Sequence, residues 1–163
     1  YVIRNGTLYR DTVGESDDEA LVIDKDGNFS IVKESEVSAQ TLNDEGSWQV
    51  LSFGPSLIED GKITVDSNSE VSQSKSSNPR TAIGQISTLH YVIVVSDGRT
   101  SESTGLSLLQ LAQEFEDRGC TTAYNLDGGG SSTMYFNGEI VNNPTDGRTD
   151  GERKVSDIVY FGY

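Results

Sequence analysis

Asn-Gly and Asp-Gly pairs recur along this chain, each set between short runs of apolar residues. A tight hairpin turn needs positive φ at its centre, which Gly, Asn and Asp accept and most residues resist. Asn5-Gly6 precedes Thr7-Leu8-Tyr9, and Asp26-Gly27 joins Ala20–Ile23 to Phe29–Val32. Asp60-Gly61 links Ser56–Ile58 to Lys62–Val65, and Asn137-Gly138 links Thr133–Phe136 to Glu139–Val141. These runs read as strands. Asp24-Lys25-Asp26-Gly27-Asn28 also has the look of a calcium loop, but its glycine comes at the fourth position instead of the sixth, and Ser35 stands where the closing glutamate belongs. The hairpin reading is the stronger.

One helix interrupts the strands. Ser107-Leu108-Leu109-Gln110 is a capping box, and Leu108, Leu111, Ala112 and Phe115 follow at helical spacing before Gly119, predicting a helix over about 108–118. Gln113, Glu114, Glu116 and Asp117 face outward, so the helix lies on a sheet. A shorter helix is expected between Glu36 and Asn43. Leu89–Val95 before the long helix and Thr122–Leu126 after it suggest a β-α-β crossover, whose strand ends carry Ser96–Arg99 and Asp127–Ser132 on one edge. A last strand is expected over Val155–Phe161. The fold class is α+β: a mixed, largely hairpin-built β-sheet with one well-defined helix and a short second one. Asp66–Pro79 holds a single apolar residue, Val71, and reads as a mobile loop, either a connector or a lid.

Composition removes much chemistry. Cys120 is the only cysteine, which rules out an internal disulfide and a Cys-rich metal site. His90 is the only histidine and sits in an apolar run, so a Ser-His-Asp triad has no support. The net charge of −14 repels nucleic acid. No run approaches the ~20 apolar residues of a membrane span. Carboxylates and arginines remain. A divalent cation suits so acidic a chain, yet no ligand spacing requires one, and no cofactor is expected.

Asp127-Gly128-Gly129-Gly130-Ser131-Ser132 is the most unusual stretch. Its glycines let backbone N–H groups approach an anion, and Ser131 and Ser132 add hydroxyls. No Gly-Lys-Ser/Thr follows and no helix opens there, so it is neither a Walker loop nor a dinucleotide fingerprint. Asn78-Pro79-Arg80-Thr81 and Asp97-Gly98-Arg99 offer guanidinium forks suited to phosphate. Each also has an ordinary surface reading, as does Glu152-Arg153-Lys154.

Taken in this order, the segments resemble the phosphodiester glycosidase family. They are Ser52–Leu57, Asn78–Gln85, Asp97–Arg99, Asn125–Met134, Asn142–Pro144 and Glu152–Val155, and the match runs over nearly the whole chain. The resemblance implies one domain over 1–163, a hydrolase cutting the glycosidic bond of an N-acetylglucosamine-1-phosphodiester-like substrate, and a bacterial, secreted or cell-surface protein linked to exopolysaccharide. It implies Arg80, Thr81, Arg99, Arg153 and the Gly128, Gly129, Gly130, Ser131, Ser132 loop as phosphate contacts, with Asp127 first, then Asp97 and Glu152, as catalytic carboxylates. A glycine-rich, phenylalanine-ending turn of the family is missing from this chain, so an N-terminal segment of the family is expected to be lacking and to be a possible partner piece. The reading from a different class is a non-catalytic domain that binds carbohydrate or cell-wall polymer.

Overall fold

The computed structural model describes residues 1–12, 18–67, 77–147 and 149–162. In chain order the elements are β1 (Val2–Arg4), β2 (Thr7–Arg10), β3 (Glu19–Ile23), β4 (Phe29–Lys33), α1 (Ala39–Asp44), β5 (Gln49–Ser52), β6 (Ser56–Glu59), β7 (Lys62–Ile63), β8 (Arg80–Ser87), β9 (His90–Ser96), α2 (Leu108–Glu116) and β10 (Thr122–Leu126). A 3-10 turn (Gly129–Ser131) and two small hairpins follow, β11 (Tyr135–Phe136) with β12 (Glu139–Ile140) and β13 (Thr145–Asp146) with β14 (Thr149–Asp150).

The four Asn-Gly and Asp-Gly pairs expected to make hairpins all become turns. Asn5, Asp60 and Asn137 take φ of 51°, 49° and 49°, and the glycine after each is also positive. The turn between β3 and β4 differs: Asp24 Oδ1 accepts from the N–H groups of Asp26 and Asn28 at 2.9 and 2.8 Å. That carboxylate is therefore engaged by its own loop, which is the hairpin reading rather than the calcium one.

Two five-stranded sheets result, β2-β1-β5-β3-β4 and β7-β6-β10-β8-β9. Strand alternation then builds four layers. On β3, Ala20 and Val22 face α1 with Ile3, Leu42 and Val50, while Leu21 faces the other sheet with Phe29, Ile83 and Tyr124. On β8 and β10, Ala82 and Ala123 face α2 and meet Leu108, Leu111, Ala112 and Phe115. The order is α1, first sheet, second sheet, α2. Gly84 belongs to this last contact, because a Cβ there would lie 2.6 Å from the Phe115 ring.

The α+β expectation holds, and α2 carries the capping box, with the Ser107 side chain accepting from Gln110 N–H. The short helix begins later than expected, with Ser38 as its cap. Every described strand pair is antiparallel, as the registers show. The expected β9-α2-β10 crossover forms, but β8 lies between its two strands: β9 and β10 both run antiparallel to β8, and so parallel to each other. Their carboxyl ends consequently share one rim.

Val155–Phe161 joins no ladder among the described residues; Ile158 and Tyr160 are 75% and 79% exposed. Its apolar residues are consecutive, a pattern that needs burial on both faces, and neither sheet leaves an interior slot for it. It is tied down by Asp157 to Arg4 at 2.7 Å and by Phe161 packing on Tyr91. Most of the expected loop between Asp66 and Pro79 lies outside the described residues. No described helix is long and apolar enough to cross a membrane.

Candidate functional site

The register of the second sheet assembles the site. Arg80 pairs with Ser96 and Thr81 with Leu126, so the start of β8 and the ends of β9 and β10 meet on one rim. Pro79-Arg80, Asp97-Gly98-Arg99 and Asp127–Ser132 project from it. The chain backbones are locked together there: Gly129 N–H donates to Pro79 C=O at 2.9 Å, and Arg153 N–H donates to Gly130 C=O at 2.8 Å.

Two guanidinium groups converge on the glycine loop. A Cβ on Gly129, whose φ is +61°, would sit 3.1 Å from Arg99 Nη1 and 3.4 Å from Arg153 Nη2. The positive φ favours glycine here, and a side chain would also press on the Arg99 guanidinium. Arg99 is oriented by Asn78, whose Oδ1 accepts from Nε and Nη2 at 3.2 and 3.0 Å. Arg153 is oriented by Asp146, whose Oδ1 accepts from Nε and Nη2 at 3.2 and 3.0 Å. Its Nη1 then lies 3.6 Å from Asp127 Oδ2. These side chains are about half exposed, so the pairs orient the groups more than they stabilise the fold. Asp146 also lies directly under the loop, since a Cβ on Gly130 would be 2.7 Å from its carboxylate.

Asp127 is held on both oxygens, accepting from Gly128 N–H at 2.9 Å and from the Ser131 hydroxyl at 2.7 Å. The loop is not an open nest of amides. Gly128, Gly129, Ser131 and Ser132 N–H groups are all engaged by Asp127, Pro79, Gly128 and Gly129 oxygens, respectively. An anion here would therefore be met by arginine side chains and not by a row of backbone donors.

The remaining sequence candidates divide. Asp97 stands on the rim but anchors a neighbouring strap: its Oδ1 accepts from Asn142 Nδ2 at 3.1 Å and from Asn143 N–H at 2.7 Å. Ser132 is fully buried, and its hydroxyl meets Thr81 Oγ1 at 3.1 Å beneath the loop. Arg80 is only 7% exposed and its Nε donates to Leu106 C=O at 3.0 Å. Glu152 is exposed and takes no part in these contacts. Asn78, Asn142 and Asp146 were missed as site residues by the sequence reading. Asp146-Gly147 is itself one of the turn dipeptides, so a signal for it was present.

Two cavities lie on the other sheet. One of about 320 Å³ is lined by Tyr1, Arg10, Glu19, Glu34, Ser52 and Phe53, and one of about 440 Å³ by Ile31, Lys33, Glu36 and Glu59 among others. Carboxylates outnumber cations in both, which disfavours a phosphate ligand, whereas on the rim Arg80, Arg99 and Arg153 equal Asp97, Asp127 and Asp146 in number. Among the described residues no group of three or more His, Cys, Asp and Glu is placed to hold a metal ion.

Comparison with known proteins identifies the family and the fold. The family model for phosphodiester glycosidase matches residues 1–162. The SPbeta prophage-derived uncharacterized protein YomE of Bacillus subtilis strain 168 is 34% identical over 163 residues, covering 99% of this chain and 25% of that protein. Mouse N-acetylglucosamine-1-phosphodiester alpha-N-acetylglucosaminidase is 28% identical over 190 residues, covering 97% of this chain and 37% of the mouse protein. The solved catalytic domain of the zebrafish enzyme of that name shares the fold with a TM-score of 0.68 at 24% identity, over 95% of this chain and 52% of that one. The chain thus spans between a quarter and about half of the length of these proteins. With the family model covering the chain almost end to end, this chain belongs to the phosphodiester glycosidase family.

Proposed function

We propose that the chain hydrolyses the glycosidic bond of a sugar-1-phosphodiester, with an N-acetylglucosamine-1-phosphodiester-like substrate and an extracellular or cell-surface location. The observation that carries this reading is the convergence of Arg99 and Arg153 on Gly129 beside Asp127. The phosphate monoester released when the C1–O bond breaks is a good leaving group, so neutralising its charge matters more than protonating it. Arg99 and Arg153 hold the phosphate, with Arg80 and Thr81 forming the floor of the rim. Asp127, fixed by Gly128 and Ser131, faces the anomeric carbon as nucleophile or as base for water. The C1–O bond breaks, its electrons leave with the phosphate, and water supplies the oxygen that ends on C1. Asp97 and Glu152 stand as second carboxylates, Asp97 being the nearer to the rim. Family membership supports this chemistry.

The test is hydrolysis of an aryl or nucleotide sugar-1-phosphodiester in labelled water. Label is expected on the sugar; label on phosphate would mean attack at phosphorus and overturn the reading. Asp127→Asn and Arg153→Ala are each expected to cut turnover by about 10²–10³, and chelator is expected to leave it unchanged. Binding without turnover would assign the chain to the non-catalytic carbohydrate-binding class.

A further inference from the structure

Arg99 and Arg153 approach the same glycine but are held in different ways. Arg153 has charged neighbours: Asp146 Oδ1 accepts from its Nε and Nη2 at 3.2 and 3.0 Å, and Asp127 Oδ2 lies 3.6 Å from its Nη1. Arg99 has a neutral one, the Asn78 amide oxygen, and among the described residues it forms no ion pair. The charge of Arg153 is thus balanced within the protein, and that of Arg99 is left for a ligand.

Both arrangements are built into the fold. Asn78 is wedged between two glycines: a Cβ on Gly98 would lie 2.6 Å from Pro79 N, and one on Gly105 2.3 Å from Asn78 C. Its N–H and C=O are both bonded to Leu106, at 3.2 and 3.0 Å. Arg99 takes φ of +62°, a left-handed conformation that long side chains seldom adopt and that the surrounding contacts must hold in place. Asp146 is brought to the same turn by its neighbour, since the buried Thr145 hydroxyl donates to Gly98 C=O at 3.0 Å. Its carboxylate stands 2.7 Å from where a Gly130 Cβ would be, one residue along from the glycine that both guanidinium groups approach. A phosphate bridging Arg99 and Arg153 therefore shares the Arg153 fork with Asp146. That arrangement distinguishes anions by their charge. A phosphodiester carries one negative charge, whereas a phosphomonoester carries about 1.5–2 at neutral pH. The extra charge adds repulsion from Asp146 and Asp127.

We propose that Asp146 is a specificity-determining residue of the rim, an internal counter-charge that biases it toward a monoanionic phosphodiester and against a dianionic phosphomonoester. This rests on the reading of the rim as a phosphate site and does not require turnover. Where turnover occurs, breaking the C1–O bond leaves its electron pair on the phosphate, and the proton of the attacking water goes to solvent. The phosphate thereby gains its second charge, so the product is the form that the rim holds less well.

The experiment titrates wild type, Asp146→Asn and Arg99→Gln by NMR at about pH 8, where a monoester is a dianion. The probes carry no sugar: dimethyl phosphate, the monoanion, and methyl phosphate, the dianion. Asparagine keeps an oxygen for the Arg153 fork and removes only the charge, so the melt of Asp146→Asn is expected to match wild type. Because Coulomb energy scales with ligand charge, Asp146→Asn is expected to tighten dimethyl phosphate about two- to threefold and methyl phosphate about four- to tenfold. The difference is expected to shrink in high salt. Arg99→Gln is expected to weaken both probes about tenfold. Equal gains for the two probes, or a loss of both, would make Asp146 a plain support for Arg153 and overturn the proposal, even in a chain that hydrolyses a sugar-1-phosphodiester. A larger gain for the dianion in a chain that never hydrolyses a diester keeps the proposal and removes the hydrolase reading. A wild-type chain that binds neither probe, or an Arg99→Gln variant that binds both as wild type does, overturns the rim as the phosphate site and the proposal with it.

Discussion

The two sheets are made by the same local rules, and only one of them carries the arginine cluster. Each has five antiparallel strands, hairpin turns and a helix on its outer face. In the first sheet the chain leaves β4, runs through α1 and returns as β5 on the far side of β3, so β4 and β5 end on one rim. The second sheet repeats this: the chain leaves β9, runs through α2 and returns as β10 on the far side of β8. Each crossover brings two carboxyl ends to the same rim, and what sets the second apart is the residues there, Arg99 after β9 and the glycine loop after β10, with Arg80 at the start of β8 between them. The ligand site of a parallel α/β sheet arises for the same reason. A crossover can thus create such a rim even when every neighbouring pair is antiparallel.

The largest effect that tests this comparison is in the α2 layer. Phe115 is fully buried against Gly84 and Cys120, and Phe115→Ala is expected to cost about 3–5 kcal/mol in denaturant unfolding. Its counterpart Val50→Ala, in the α1 layer, removes less surface and is expected to cost about 2 kcal/mol. The shared cluster of Leu21, Phe29, Ile83 and Tyr124 couples the sheets, so both variants are expected to lower one and the same transition. Two separate transitions would show that each sheet folds on its own.

Next comes the bond that ties the sheets at the rim end. The fully buried Tyr124 hydroxyl donates to Glu19 C=O at 2.7 Å and accepts from Phe53 N–H at 2.8 Å. Tyr124→Phe leaves two part-buried backbone groups without that partner and is expected to cost about 1–2 kcal/mol. Burial, the largest cause, pushes this phenol's pKa well above its ordinary 10.0. A raised folded-state value means that the unfolded chain releases the proton first, so the contribution is complete below pH ~10 and fades as pH rises further. An alkaline melting series is expected to fall more steeply for wild type than for Tyr124→Phe. Parallel curves would show that the phenol ionises equally in both states.

How much of this was legible follows from the range of each interaction. Hairpins and α2 were readable because turn chemistry and capping act within a few residues: Asn5-Gly6 and Ser107 carry their own signal. The shared rim was readable because a helix between two apolar runs forces a crossover. The orienting contacts were not, since Asn78 meets Arg99 across 21 residues and Asn142 meets Asp97 across 45. A polar residue whose partner is tertiary looks like any surface residue. The glycine loop was recognised as unusual, but whether its amides face a ligand or its own carbonyls depends on φ and ψ that three glycines leave open. Val155–Phe161 had strand composition without a place in either sheet, which no local pattern records.

The smallest effect compares two aspartates that do the same local thing. Asp24 on the first sheet and Asp127 on the second each accept a backbone N–H from their own loop. Asp127 also has Arg153 at 3.6 Å, whereas among the described residues Asp24 forms no ion pair. The Asn28 side chain, the largest cause, holds the Asp24 pKa below its ordinary 3.8. A lowered folded-state value stabilises above the unfolded pKa and is lost as pH falls through the folded one. Asp24→Asn is therefore expected to cost less than about 1 kcal/mol at neutral pH, and the gap from wild type is expected to close as pH falls below the ordinary 3.8 and through the lowered folded-state value. Phosphate affinity is expected to be untouched, because the carboxylate serves only its own turn. A change in phosphate binding on Asp24→Asn would mean that the turn of the first sheet and the arginine rim of the second communicate, and that the residues on the rim alone do not separate the two sheets.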